Sequence, residues 1–497
     1  MNHPVESIVP EIWLHIAEWL DTKQFRKCVL VTKAWNTTFT PYLWRNFGLR
    51  NHSVTAPTLA TVQKNALSVR SLNTANLPQN LLGIEFQHLQ QLTIGPNLHK
   101  SQRDSDWESI YGLLRRSAST LRSVTVVIRN DPLPSTFWDT IHSCPVLEML
   151  VLDRCVVGLT AAPTFLDVCS RVKTIRLSKI FLLQAKTAKS DNSTLATNPF
   201  ASEITLRKIQ DKSALKHFVP FLFGCPNLKR MELSCTEKYM PTTIPIPREI
   251  AFLPRPYLSY IYLENVAISE VSMVTLLDSI PLMVLRELYV FTNSLGPKAL
   301  ISLRRHSKSI EHLHIQQCPA WTSQQFIRIL TSFPRLLTVK APYIWARDVA
   351  ACPDPWVCTD LYKFCAYVDT SHSPATKDAL QASLEMEHNE RVMYGALGKL
   401  IKLRTLDISL VFGYNVAVSN GRHPLDLQLS SGLDALAELS ELRVLDCRET
   451  NQVMSAEDIA WMGEHWPNLA RVRGEIVYTD GDIEEALGSI GVEYLGE

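Results

Sequence analysis

One order of apolar and polar positions recurs from residue 89 to the end of the chain: apolar, two variable, apolar, one variable, apolar, two variable, then Asn or Cys. It is clearest in LQQLTIGPN (89–97), LEMLVLDRC (147–155), LRELYVFTN (285–293) and IEHLHIQQC (310–318). Looser copies are LRSVTVVIR (121–129), VKTIRLSKI (172–180), LKRMELSCT (228–236), LSYIYLENV (258–266), LRTLDISLV (403–411) and LRVLDCRET (442–450). LLTVKAPY (336–343), LYKFCAYVD (361–369) and LARVRGEIV (469–477) are weaker. The alternation within each copy predicts a short strand with one face buried. From 258 to 361 the copies start at 258, 285, 310, 336 and 361, a step of about 25 to 27 residues.

Apolar helical stretches lie between the copies and often end in a proline just before the next strand, as in HSCPVL (142–147), FGCPNL (223–228), SFPRLL (332–337) and HWPNLA (465–470). A proline there stops the helix and turns the chain into the strand. One strand and one helix cannot bury both their faces, so each unit must stack on the next. On these motifs the chain, over roughly four fifths of its length, resembles the leucine-rich repeat family, with the irregular spacing of the long repeats attached to F-box proteins. The resemblance implies an α/β fold, a horseshoe with a parallel sheet on the concave side and helices on the convex side. Stretches near 181–203, 236–257, 370–395 and 411–432 break the step and, by their Ser, Thr, Pro and charged content, read as loop insertions.

The front of the chain follows another pattern. Val9, Ile12, Trp13, Ile16, Trp19 and Leu20 recur at three- and four-residue steps around Pro10, which suits a first helical turn, and this predicts a helix. Asp21 or Thr22 caps a second helix through Leu30, a third around Lys33–Phe39 carries Trp35, and Pro41 leads into Leu43–Trp44. Three short helices with no disulfide or metal are at the limit of an independent core and call for a partner. The blocks resemble an F-box: Pro10, Glu11 and Ile12 with Val9 before them, Ile16 and Leu20–Asp21, Cys28–Val29–Leu30–Val31 followed by Trp35, and Leu43–Trp44. Phe25 stands where Leu is usual and Thr32 where Cys is common.

That resemblance implies docking on a Skp-family adaptor bound to a cullin scaffold, with Val9, Pro10, Ile12, Ile16, Leu20, Leu30, Val31 and Trp44 as the contacts. Leu30, Val31 and Trp35 read first as core of the module. The expected division is an F-box-like domain at 1–50, a linker and cap at 51–88, and the repeat array at 89–497.

If the buried positions of each copy point into the core, the intervening ones line the opposite face of the sheet. In three neighbouring copies these are Tyr260, Tyr262 and Glu264, then Glu287, Tyr289 and Phe291, then His312, His314 and Gln316. Aromatic side chains supply contact area at low entropic cost, so Tyr260, Tyr262, Glu287, Tyr289, Phe291, His312 and His314 are the candidate substrate-binding residues. Strand propensity alone also enriches aromatics. Asp407, Asp446, Arg448, Arg471 and Arg473 offer a charged alternative.

Charge narrows the partners. Lys+Arg 50 against Asp+Glu 49 leaves a formal charge of +1, so no overall field draws the chain to nucleic acid or an anionic membrane, and neither is expected as a partner. No signal peptide and no run long enough to span a membrane are read, and 11 scattered cysteines fit reduced thiols of cytoplasm or nucleus. No hydrolase, zinc-protease or phosphate-loop motif occurs, GALGK at 395–399 being too short, and no cofactor is expected. Cys352, Cys358, Cys365 and His372 lack a common zinc spacing. What the F-box resemblance implies, with no catalytic motif beside it, is a non-catalytic subunit of an SCF-type ubiquitin ligase whose repeats bind a protein substrate. The alternative is a repeat scaffold without ligase association.

Overall fold

A computed structural model describes residues 10–48, 59–73, 83–95, 103–128, 132–158, 161–182, 198–209, 221–222, 224–236, 254–266, 268–291, 295–316, 318, 320–371, 378–409 and 423–496. The chain divides into two compact units, Met1–Asn227 and Leu228–Glu497.

The first unit begins with helices Pro10–Trp19, Thr22–Cys28 and Lys33–Arg45. Asp21 caps the second helix in a reciprocal pair with Gln24, and the Thr32 hydroxyl accepts from the Trp35 amide at 3.1 Å to open the third. Their core is Ala17, Phe25 and Phe39. Trp13 and Trp35 meet Phe39 edge-on at 5.3 and 5.5 Å, and Tyr42 stacks on Phe25 at 5.9 Å. The third helix runs through Pro41 instead of ending before it. Phe39 on one side of the proline and Tyr42 and Leu43 on the other all pack on the same core, which holds the turn despite the lost N–H.

Strands follow at once. Asn46–Gly48, Ser71–Asn73, Gln91–Ile94, Ser123–Val127, Met149–Asp153, Thr174–Ser178 and Glu203–Ile209 pair in that order, each parallel to the next. The ladder thus starts at 46, before the boundary expected at 89, and the segment 51–88 contributes a strand of its own. The Glu203–Ile209 strand, at the edge of the expected insertion 181–203, is a further copy that its sequence did not announce.

In the second unit Arg230–Cys235, Tyr260–Glu264, Glu287–Phe291, His312–His314, Thr338–Trp345, Lys363–Asp369, Thr405–Asp407, Val444–Asp446, Arg471–Arg473 and Glu493–Leu495 form a second all-parallel ladder. Successive connecting helices also pack on one another, as Glu270–Asp278 does on Pro297–Arg304. One strand and one helix per repeat is the arrangement the leucine-rich repeat pattern implies.

Two local devices fix the register. One carbonyl at each step accepts from two successive amides of the next strand: Arg286 O from Glu311 and His312 at 2.8 and 3.1 Å, and Glu311 O from Leu337 and Thr338 at 2.7 and 3.1 Å. An Asn or Cys at the eighth or ninth position of a copy ties its repeat to a neighbouring carbonyl: Asn265 Nδ2 donates to Cys235 O at 3.2 Å, and Cys318 Sγ to Val290 O at 3.6 Å. A small polar side chain can be buried there because it satisfies a carbonyl that would otherwise be orphaned.

Two expected insertions are corrected. The 370–395 stretch holds the helix Ala379–Leu397, capped by Asp378. Asn389, Met393 and Leu397 recur along it at four-residue steps and are buried, so a polar-looking segment hides one inward stripe. Within 411–432, Leu425 and Leu427 are fully buried, and the Leu427 amide donates to Gln452 Oε1 at 2.8 Å. Residues 237–253 of the third stretch, and most of 181–203, lie outside the described residues.

Candidate functional site

Strand alternation in the second unit puts Ile261, Leu263, Leu288, Val290 and Leu313 in the core, each essentially inaccessible. Their neighbours Tyr260, Tyr262, Glu287, Tyr289, Phe291, His312 and His314 lie half-buried on the other face. Parallel pairing aligns Tyr262 with Tyr289 and Tyr289 with His314. The rings then form a contiguous run: Tyr260–Tyr289 at 5.4 Å, Tyr262–Tyr289 at 6.0 Å, Tyr262–Phe291 at 5.4 Å and Tyr289–His314 at 4.5 Å. The Arg230 guanidinium covers the outer end, 3.4 Å above the Tyr260 ring.

The hydroxyls of Tyr262 and Tyr289 are each spent on a carboxylate two residues away. Tyr262 donates to Glu264 at 3.0 Å and Tyr289 to Glu287 at 2.9 Å, and burial together with these carboxylates pushes both phenols well above their usual range. The hydroxyls are anchors, and what faces outward is ring surface. At the other end Thr338 Oγ1 lies 2.8 Å from His312 Nδ1 and 3.4 Å from His314 Nε2. Burial, followed by the charges of Lys340, Lys363 and His312, lowers the His314 pKa to about 3, so its imidazole is neutral and serves as another ring.

The weak copies at 336 and 361 follow the same register, which places Lys340 and Lys363 half-buried on this face beside the histidines. The sequence pattern could have found them at the positions that yielded the tyrosines. The charged alternative is largely self-satisfied. Arg448 grips the buried Asp446 through Nε and Nη2 at 2.9 and 3.0 Å, Arg473 lies 4.0 Å from that carboxylate, and Arg471 holds Glu493 at 2.9 Å. Asp407 accepts from the Ser409 amide and hydroxyl at 3.1 and 2.5 Å.

The N-terminal module separates its apolar residues differently from expectation. Trp19 is 87% exposed, Leu30 84%, Val31 58% and Ile12 49%. Leu30 and Val31, which read first as core, are outside it, because the second helix ends at Cys28 and they fall in the turn after it. Ile16 and Leu20, expected as contacts, instead pack on the Ala17–Phe25–Phe39 core, and Trp44 stacks on Phe47 at 5.5 Å. Val9 lies outside the described residues, and Pro10 opens the first helix. Trp19 is not among the expected contacts, although it shares the stripe of Ile16 by spacing, and it is the more exposed of the two. An open cavity of about 380 Å³ lies beside Leu20, Phe25, Tyr42 and Leu43, rimmed by Asp21 and Arg45.

Among the described residues no three His, Cys, Asp or Glu side chains converge as a metal site, and no helix is long and apolar enough to cross a membrane. Cys358 is buried and its thiol pushed up to about 12, and Cys365 is buried beside Asp407. His372 lies outside the described residues.

No protein-family model and no curated protein matches the sequence. Among solved structures the chain is similar to an internalin, inlF, from Listeria monocytogenes, with 12% identity, a TM-score of 0.34 and 88% of each chain covered. It is also similar to the TLR13 chain of a TLR13–ssRNA13 complex, with 13% identity, a TM-score of 0.38, 88% of this chain covered and 54% of that one. Likeness at this level bears on neither partner nor activity.

Proposed function

We propose that this chain is the substrate-recognition subunit of an SCF-type cullin-RING ubiquitin ligase, its N-terminal module docking on a Skp-family adaptor and its repeats holding a protein substrate. The observation that carries the reading is the apolar surface of the module: Ile12 and Trp19 on the first helix and Leu30 and Val31 in the turn after the second stand exposed, while the small core is already filled around Phe39. Burying one such side chain completely is worth about 1.5 to 3 kcal/mol, so four of them in one interface is substantial driving force. The F-box-like order of blocks in the same residues names the adaptor class. The chain would supply no catalytic group of its own; it would accelerate ubiquitin transfer by proximity, holding the substrate near a conjugating enzyme carried elsewhere in the assembly.

The test keeps the chain whole, because cutting at residue 51 would remove the first ladder strand, Asn46–Gly48. The intact chain and a variant with Ile12→Asp, Leu30→Asp and Val31→Asp are each co-expressed with a Skp-family adaptor and a cullin. The parent is expected to co-purify with both and the variant with neither, at unchanged melting temperature. Equal recovery by both chains, or no recovery by the parent, rejects the reading in favour of a repeat scaffold without a ligase.

A further inference from the structure

Most cations on the outward face of the second unit have a counter-ion there, and two do not. Arg448 and Arg473 share Asp446, Arg471 pairs with Glu493, and Arg230 lies 3.8 Å from Glu232. Lys340 and Lys363, half-buried on adjacent strands, make no ion pair or ammonium hydrogen bond among the described residues. Partly burying an ammonium without a partner costs free energy, so the pair is a standing attraction for an anion. Neighbouring carboxylates do not close on it: Glu287 accepts from the Tyr289 hydroxyl and Asp407 from Ser409, and neither forms an ion pair with these lysines.

The lysines lie beside ring surface. Tyr289, His314 and Lys340 occupy one straight row of the ladder, with Tyr262 next along it. Tyr289 and Lys340 are two strands apart, about 10 Å, a distance an extended chain covers in about three residues.

Building on the substrate-receptor reading of this face, we propose that it binds an extended acidic protein segment, with an Asp or Glu carboxylate between Lys340 and Lys363 and an apolar or aromatic side chain about three residues away lying on Tyr262 and Tyr289. One carboxylate matches the lysine pair. A polyanion does not, because Glu232, Glu264 and Glu287 line one side of the pair and Asp407 the other.

The test is selection of short random displayed peptides on the intact chain. Enriched peptides are then measured by fluorescence anisotropy against the parent, Lys340→Gln/Lys363→Gln, Lys340→Glu/Lys363→Glu and Tyr262→Ala/Tyr289→Ala, with single-stranded oligouridylate as the polyanion arm. The expected peptides carry Asp or Glu about three residues from an apolar or aromatic residue and bind about tenfold or more weakly to each double variant, while the oligouridylate binds weakly. Neutral or basic consensus peptides, affinities indifferent to the lysines, or no enrichment over the Lys→Glu chain overturn the proposal. Lysine-dependent oligouridylate binding without peptide enrichment also overturns it, in favour of a nucleic acid. Peptides that need the tyrosines but not the lysines sink only the acidic segment and leave the receptor face standing. Adaptor capture is measured separately, so its failure is distinguishable from either result.

Discussion

Tyr289 and His314, paired on neighbouring parallel strands, meet edge to face with ring centroids 4.5 Å apart. Burial and then the adjoining lysines keep the imidazole neutral, so it packs here as a ring and not as a charge. Packed this way, Tyr262, Tyr289 and His314 form a rigid ring surface whose own hydrogen bonds are already made, so little ordering entropy remains to be lost on binding.

Replacing Tyr262 and Tyr289 by Ala should therefore weaken substrate capture while leaving recovery of the Skp-family adaptor unchanged. Because both rings are half-buried, a cost of about 1 to 3 kcal/mol in stability is expected, read by chemical denaturation. Unchanged capture at that stability loss would move the binding site elsewhere on the array.

In the N-terminal module, core and surface should respond in opposite ways. Phe39 is fully buried and touches Trp13, Trp35, Phe25 and Tyr42, so Phe39→Ala should cost about 3 to 5 kcal/mol and abolish hydrogen-exchange protection of the three helices. Trp19→Ser, at an exposed position, should change stability by no more than about 0.5 kcal/mol yet reduce adaptor recovery. Equal loss of protection in the two variants would mean that Trp19 is part of the core.

This contrast marks where the sequence was legible. Leu285, Leu288 and Val290 are recognisable as core because alternation fixes a strand's two faces, and the outward row Tyr260, Tyr262, Tyr289 and His314 follows from the same register. A helix gives less. Ile16 and Trp19 lie on one apolar stripe, and which of them is covered depends on where Phe39 arrives from the third helix, which spacing within the first helix does not encode. The strand Ser71–Asn73 lies in VRSLNTANL (69–77), where Thr74 replaces the third apolar position of the pattern, and Asn46–Gly48 lies inside the block read as the front module. The helix Ala379–Leu397 was obscured because its first half is largely solvent-exposed and the leucines there, Leu380 and Leu384, face solvent and mark no buried stripe.

Asn265 links its repeat to the preceding one and also holds a left-handed backbone, φ 54°, while nearly inaccessible. Asn265→Ala loses the bond to Cys235 O and adds strain, whereas Asn265→Gly loses only the bond. Alanine should cost about 1 to 3 kcal/mol and glycine less, measured as shifts in denaturation midpoint. If alanine proves no worse than glycine, the backbone conformation at this turn contributes nothing to stability.

Glu390, on the inward side of the helix Ala379–Leu397, has its pKa raised to about 7, chiefly by burial and then by the neighbouring Asp426 and Glu387. Asp426 is itself shifted upward by burial, and its backbone carbonyl accepts from the buried Tyr394 hydroxyl, so the helix and the 425–436 segment share this acidic seam. Below about pH 4.5 the Glu390 carboxyl is protonated in both folded and unfolded chains and contributes no difference. Between there and about pH 7 the folded chain keeps a proton that the unfolded chain has released, so stability falls as pH rises through that window. Above it both are ionised and the penalty is complete. Glu390→Gln removes the ionisable group while keeping the shape, and should flatten the decline and stabilise the chain at pH 8 by about 1 to 2 kcal/mol, with little effect at pH 4.5. Denaturation midpoints of the two chains across this range decide the matter, and parallel curves would place the Glu390 carboxylate in water, free of the seam.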